Sequence, residues 1–326
     1  MRDLDALDAA VERLCCDYAH TPAPLLLTTV GELWRQVELD VPLVADASHI
    51  TEPGSHRRVV VAAGWLRLLA GCLRHDMGYV GLAEADRRAA ARLGELGGEP
   101  RIVAWSHEMA VWFSLSRRDY RAATVAAELG LEVASFDSVL LQLKAQRAKA
   151  QARLGGRDAA LASLDSARED ASSLPPADCP ANHFVVELAK LEFFCMDVYR
   201  CLGEDAAAEL CAERVIADDA TTPAPMRVAE ARLTLAILAA RRGDLDAMSW
   251  HSDLALSDEA TVGRWCVPSL RTVGGELQAV LTERFPDATA TEFGDRLAVR
   301  IAELERGRPP RGRRRSLIDG RGGCHG

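Results

Sequence analysis

Two stretches of this sequence set an imidazole beside a carboxylate, His75-Asp76 and His107-Glu108. Such a pair can move a proton when a substrate atom comes within hydrogen-bond reach. Catalysis would also need a nucleophile or a pocket, and the competing reading puts these residues at hairpin ends or on a groove wall. Cys179-Pro180-Ala181-Asn182-His183 brings a thiol and an imidazole close together. A structural zinc site draws four ligands from two clusters, and the sequence offers no second cluster. Cys15 and Cys16 are adjacent on a helix-forming run, where neighbouring side chains point apart, so they read as a buried pair. HExxH, GxSxG, Walker-type and GxGxxG motifs are all missing. We therefore expect a protein that is not an enzyme, with no catalytic residues, no metal and no cofactor.

The elements that must position these residues read as helices. Leu4, Leu7, Val11, Leu14 and Tyr18 share one face of a run over 3–20, and a second run covers 25–39. Residues 40–56, with Pro42, Pro53 and Gly54, read as a connecting loop. From Arg57 a cadence recurs, in which a small-residue turn is followed by alanine between two apolar stretches of helix length. Its anchors are Ala83, Ala122, Ala160, Ala207 and Ala247, at intervals of 39, 38, 47 and 40 residues. The turns include Gly156-Arg157-Asp158, Gly203-Glu204-Asp205 and Gly243-Asp244-Leu245, with Arg118-Asp119-Tyr120 departing from the glycine.

A period of this length signals stacked helical hairpins, each burying its apolar face only against its neighbours. The predicted pairs are 57–76 with 80–96, 101–116 with 120–134, 138–154 with 158–171, 182–202 with 205–217, and 225–241 with 245–256. A last pair, 262–283 and 288–305, caps the array. The domain plan is an N-terminal helical cap and loop over 1–56, a repeat domain over 57–305 and a disordered Arg/Gly/Pro-rich tail over 306–326.

Composition narrows the job. Residues 306–326 carry seven arginines and one acid, a net of +6, so the remainder of a chain with net charge −9 carries −15. An acidic body disfavours a nucleic-acid groove, and we expect no direct sequence-specific DNA binding. No apolar run approaches the roughly 20 residues of a membrane span, and the N-terminus lacks the basic start and apolar core of a signal peptide. The expected location is cytoplasmic, with no membrane contact. Nine cysteines without a regular framework agree with that compartment.

The turn-then-alanine pattern is similar to the tetratricopeptide repeat, whose usual length is about 34 residues. Ala62-Ala63-Gly64-Trp65-Leu66, His75-Asp76-Met77-Gly78-Tyr79 and Val103-Ala104-Trp105 further resemble the C-terminal sensor region of actinobacterial helix-turn-helix transcriptional regulators. That resemblance implies an all-α, right-handed superhelical solenoid of antiparallel hairpins, without the DNA-binding domain. Aligned on the anchors, it puts Gly71, Ala110, Ala148 and Cys195 at the crowded helix crossings, with Leu235 departing in the fifth repeat. It also places Trp65, His75, His107, Gln142, Lys149, Glu192, Tyr199 and Arg232 on the wall of a concave groove. The implied function is a regulatory module that binds a peptide or small ligand there. The alternative is a ligand-independent scaffold for a cytoplasmic assembly. Expected partners are a peptide or protein, a separate DNA-binding regulator, and a second copy in a homodimer.

Overall fold

The computed structural model describes residues 3–39, 41, 53–175, 179–218, 224–257, 266–285 and 288–306. Among them the chain is all-helical, without a strand. The helices are α1 (Leu4–Cys16), α2 (Ala23–Glu38), α3 (Pro53–Asp76), α4 (Val80–Leu96), α5 (Pro100–Ser116), α6 (Tyr120–Val133) and α7 (Ser138–Arg153). They continue as α8 (Arg157–Ser173), α9 (Leu188–Leu202), α10 (Asp205–Asp218), α11 (Pro225–Arg242), α12 (Leu245–Leu256), α13 (Val267–Arg284) and α14 (Ala288–Arg306). A 3₁₀ turn over Asp17–Ala19 extends α1.

Local chemistry starts and stops these elements. Proline opens α3, α5 and α11, where the missing N–H would have had no helical partner. Asp119, Asp137, Glu187 and Asp244 each cap a helix by accepting a backbone N–H in its first turn. Within each of the first five hairpins, α3/α4 to α11/α12, the turn contains one residue in the left-handed region: Gly78, Arg118, Gly155, Gly203 and Gly243. Five residues after each comes a buried position in the second helix: Ala83, Ala123, Ala160, Ala208 and Met248.

These positions recur at 40, 37, 48 and 40 residues, which corrects the anchors read from the sequence. Ala122, Ala207 and Ala247 each lie one residue before the true buried position and are only partly covered. The crowded first-helix crossings shift with them. Moved by the same one residue where the anchor moves, they fall on Gly71, Val111, Ala148, Met196 and Ala236, all of which are buried.

Hairpins form from α3/α4, α5/α6, α7/α8, α9/α10, α11/α12 and α13/α14. The first helices also pack on one another in series, α3 on α5, α5 on α7, α7 on α9 and α9 on α11, while α13 packs on α11 and approaches α3 and α5. Three apolar clusters follow one another along the array, built around Trp105 and Phe113, then Phe194 and Met196, then Leu233 and Leu277.

Two boundaries differ from expectation. The fourth hairpin's first helix begins at Leu188, and residues 179–187 form a turn-rich strap, which accounts for the 48-residue interval. The expected loop over 40–56 gives way to helix at Pro53, while residues 42–52, the proposed tail beyond Arg306 and the stretch 258–265 lie outside the described residues.

Candidate functional site

The strap is placed by side chains at both of its flanks. Asn182 accepts the Phe184 N–H at 2.9 Å, a local turn that presents Phe184 inward. Phe184 then packs between Trp65 and Trp105, with ring centroids 5.2 Å from each. The His183 ring packs at a tilt on Tyr18 of the 3₁₀ turn, centroids 3.6 Å apart, and its backbone N–H donates to the Cys15 carbonyl at 3.1 Å. The Val186 N–H donates to Ser138 Oγ at 3.0 Å. Lys190 Nζ holds the other side, donating to the carbonyls of His183 at 2.6 Å and Val185 at 3.1 Å.

Laid this way, the strap forms a wall between two cavities. The larger, about 840 Å³, lies against α1 and α3 and is lined by Trp65, Arg57, Arg58, Arg101 and Phe136. The smaller is a partly open chamber of about 130 Å³ lined by α5, α7, α9, α11, α13 and the strap. Its wall carries Glu108 and Trp112 from α5, Gln142, Gln146 and Lys149 from α7, and Lys190, Phe193 and Phe194 from α9. Tyr18, His183, Arg227, Glu230 and Ser269 also line it.

Glu108 organises the chamber. It is buried and accepts the side-chain N–H groups of Gln142 at 2.7 Å and Gln146 at 3.0 Å. Because a carboxylate can only accept, both carboxamides turn their nitrogens toward it. Their carbonyl oxygens are then left buried with no hydrogen-bond partner. Burial raises the Glu108 carboxyl above its ordinary range, opposed by those two hydrogen bonds and by Lys190 and Lys149. Burial also raises Glu230 and lowers Lys190 to about 8. Lys149 lies 5.8 Å and 5.6 Å from the centres of the Phe193 and Phe194 rings, facing apolar surface with a cation. The chamber therefore combines an aromatic apolar wall, two orphan acceptors and cationic groups.

Behind it lies a buried ion network. Asp197 accepts two hydrogen bonds from Arg153, at 2.7 and 2.9 Å, and one from Arg200 at 2.5 Å. Arg200 also donates to Thr234 Oγ1 at 2.6 Å and to Glu276 on α13 at 2.9 Å. Although burial acts in the opposite direction, Arg153, Lys149 and Arg200 hold the Asp197 carboxyl well below the usual carboxylate range.

Of the eight residues expected on one groove wall, the structure brings two into the chamber, Gln142 and Lys149. Trp65 lines the neighbouring cavity. The other five lie elsewhere. His75 is interior, stacked on Phe113 at 4.3 Å, with Nε2 3.1 Å from Ser116 Oγ. His107 lies toward α6, where a Cβ added to Gly130 would come within 2.9 Å of the His107 Cβ. Glu192 pairs with Arg214 at 3.3 Å, and Tyr199 accepts from Arg168 at 2.8 Å. Arg232 lies 5.1 Å from the centre of the Trp250 ring on the adjoining helix.

The imidazole–carboxylate pairs also separate. Asp76 accepts the Tyr18 hydroxyl at 2.6 Å, away from the His75 stack, and Glu108 faces the chamber while His107 faces α6. Cys15 is buried as expected, but Cys16 is only half-buried and faces Cys179. Sequence reasoning singled out Glu108 only as a partner of His107 and missed its place on this wall, along with Gln146, Lys190 and Phe193. A signal existed for Glu108 and Phe193, since shifting the groove positions His107 and Glu192 by the one-residue anchor error lands on them.

Among the described residues no group of three or more His, Cys, Asp or Glu side chains could hold a metal, and no helix is long and apolar enough to cross a membrane. No protein-family model matches the chain, and no curated protein matches it.

Proposed function

We propose that this chain is a non-enzymatic regulatory binding module of the tetratricopeptide-like class, its hairpins winding as a right-handed superhelix around a small-molecule site. The ligand would be small, with an apolar or aromatic body against Trp112, Phe193 and Phe194 and a hydrogen-bond donor directed at Gln142 and Gln146. A cavity of this size resembles one of about 150 Å³ that accepts benzene, which favours a small molecule over a peptide side of the same reading. The observation that carries the proposal is the pair of carboxamide oxygens left unpartnered in a buried, otherwise well-paired wall. An unmet buried acceptor costs about 1–3 kcal/mol, which a ligand's N–H or O–H would recover.

The reading is tested by thermal melting and calorimetric titration against small amines, amides and amino acids of about ten or fewer non-hydrogen atoms. A binding compound should raise the melting temperature of the wild type, and Gln146→Leu should weaken it about tenfold or more, the loss of one buried hydrogen bond. Binding that is indifferent to Gln146→Leu would place the ligand elsewhere.

The ligand-independent scaffold is a second reading. What favours it is α6, which exposes Val125, Leu129 and Val133 at consecutive turns of one face. A panel without a hit, together with self-association of the chain in sedimentation, would support it over the sensor.

A further inference from the structure

Cys16 ends α1 and Cys179 opens the strap, 163 residues later in the chain, yet their sulfurs lie 2.9 Å apart. That is closer than two unbonded sulfurs rest and short of the roughly 2.05 Å of a disulfide. The approach is held from both sides. The His183 ring packs on Tyr18, centroids 3.6 Å apart, and its backbone N–H donates to the Cys15 carbonyl, so His183 fixes the strap to residues on either side of Cys16. Both thiols are half-buried, whereas Cys15, Cys72, Cys195, Cys211 and Cys266 are buried. Exposed Cys201 sits far along the chain on α9.

We propose that Cys16 and Cys179 are a reversible dithiol–disulfide site, and that oxidation pins the strap to α1. A low-molecular-weight disulfide is the oxidant. The thiolate of Cys16 attacks one of its sulfurs, forming a mixed disulfide and expelling the first small thiolate. Cys179, as thiolate, then attacks the Cys16 sulfur and expels the second. The Cys16–Cys179 bond forms, the small disulfide's bond is broken, and its two thiolates take up the two protons released by the cysteines. Burial, with the neighbouring Cys179, pushes the Cys16 thiol up to about 12, so the latch sets slowly near neutral pH. Because the strap walls both cavities, closing it makes their shared wall a covalently fixed one.

The test uses the full chain equilibrated in mixtures of reduced and oxidised glutathione, alkylated and mapped by mass spectrometry. The expected product is an intrachain link between the Cys16 and Cys179 peptides, lost in Cys16→Ser and in Cys179→Ser and retained in Cys201→Ser. It closes a long loop, so melting of the oxidised wild type should rise by about 5 °C or more and return with dithiothreitol. Amide exchange of residues 183–186 should slow in the oxidised form. These readouts need no ligand for the chamber, and comparing the wild type with and without reductant needs no variant to fold. Separate glutathione adducts on the two cysteines, links between chains, or an intrachain link that leaves melting and exchange unchanged would each overturn the proposal.

Discussion

His75 shows how much a residue's neighbours matter beyond its type. An imidazole next to an aspartate suggested proton transfer, but the ring is enclosed by Phe113, Trp112 and Ser116, and its Nδ1 has no hydrogen-bond partner. Burial, reinforced by Arg117, lowers its pKa from 6.5 to about 3. Between these values the unfolded chain binds a proton that the folded chain refuses, so stability drops as pH falls from about 6.5 toward 3. Above 6.5 the contribution is fully present. The slope from this group is at most about 1.4 kcal/mol per pH unit. We expect His75→Gln to lower stability at pH 7 and to flatten the decline between pH 6 and about 4, as read by urea midpoints across that range. Parallel pH profiles for wild type and variant would contradict the assignment. The chamber residues were harder to read for a related reason. Side chains one position apart on a helix diverge by about 100°, so placing the anchor at Ala122 instead of Ala123 exchanges Glu108 for His107. The same slip at Ala207 exchanges Phe193 for Glu192 and Arg200 for Tyr199.

At the scale of the element, the hairpins were legible because their turns and apolar faces are local properties. The pairing of α3 with α4 through α11 with α12 follows from helix-length runs broken by Gly, Pro and Asp. Exact register was less legible, because alanine is frequent on both sides of each true position: Ala122-Ala123 and Ala206-Ala207-Ala208 give no contrast in side-chain size. The left-handed turn residue fixes what the alanines leave open, and it makes Arg118 testable. Four turns have glycine there, but Arg118 holds φ 60, a conformation that a side chain disfavours by roughly 1–2 kcal/mol. Glycine also loosens the unfolded chain, which offsets part of the gain. Arg118 is exposed, so little packing is lost, and Arg118→Gly should stabilise by up to about 1 kcal/mol. Arg118→Ala should gain less, since it keeps a Cβ in the same conformation. Denaturant midpoints for the two variants decide it, and glycine no better than alanine would show that the turn conformation is not what limits stability. The strap, by contrast, was read as helix because 182–202 is apolar enough, and its true course depends on Tyr18, Trp65 and Trp105 from far earlier in the chain.

For the whole molecule the question is whether the array behaves as a chain of nearest neighbours or as one body. A simple stack lets hairpins unfold in sequence, because each interface is local. Here Glu276 of α13 reaches Arg200 on α9 and Arg153 on α7, 3.5 Å away, tying the final hairpin to two earlier ones. The strap likewise joins α1 to the fourth hairpin, through Lys190 and the Tyr18–His183 ring contact. These ties favour a single transition. Glu276 is a third exposed, so solvent weakens its pairs, and Glu276→Gln should cost about 1–2 kcal/mol. Arg200→Met should cost more, about 3–5 kcal/mol, because it strips a fully buried partner from Asp197 and Thr234. The double variant should cost less than the two single ones added together, since each removes the same contact. In urea, wild type and Glu276→Gln should each unfold in one step of equal steepness, the variant at a lower midpoint. If Glu276→Gln instead splits the curve, with a first step accounting for α11–α14, the ion network is what couples the final hairpins to the rest. If wild type already unfolds in two steps, the array is a nearest-neighbour stack and the network stabilises one segment alone.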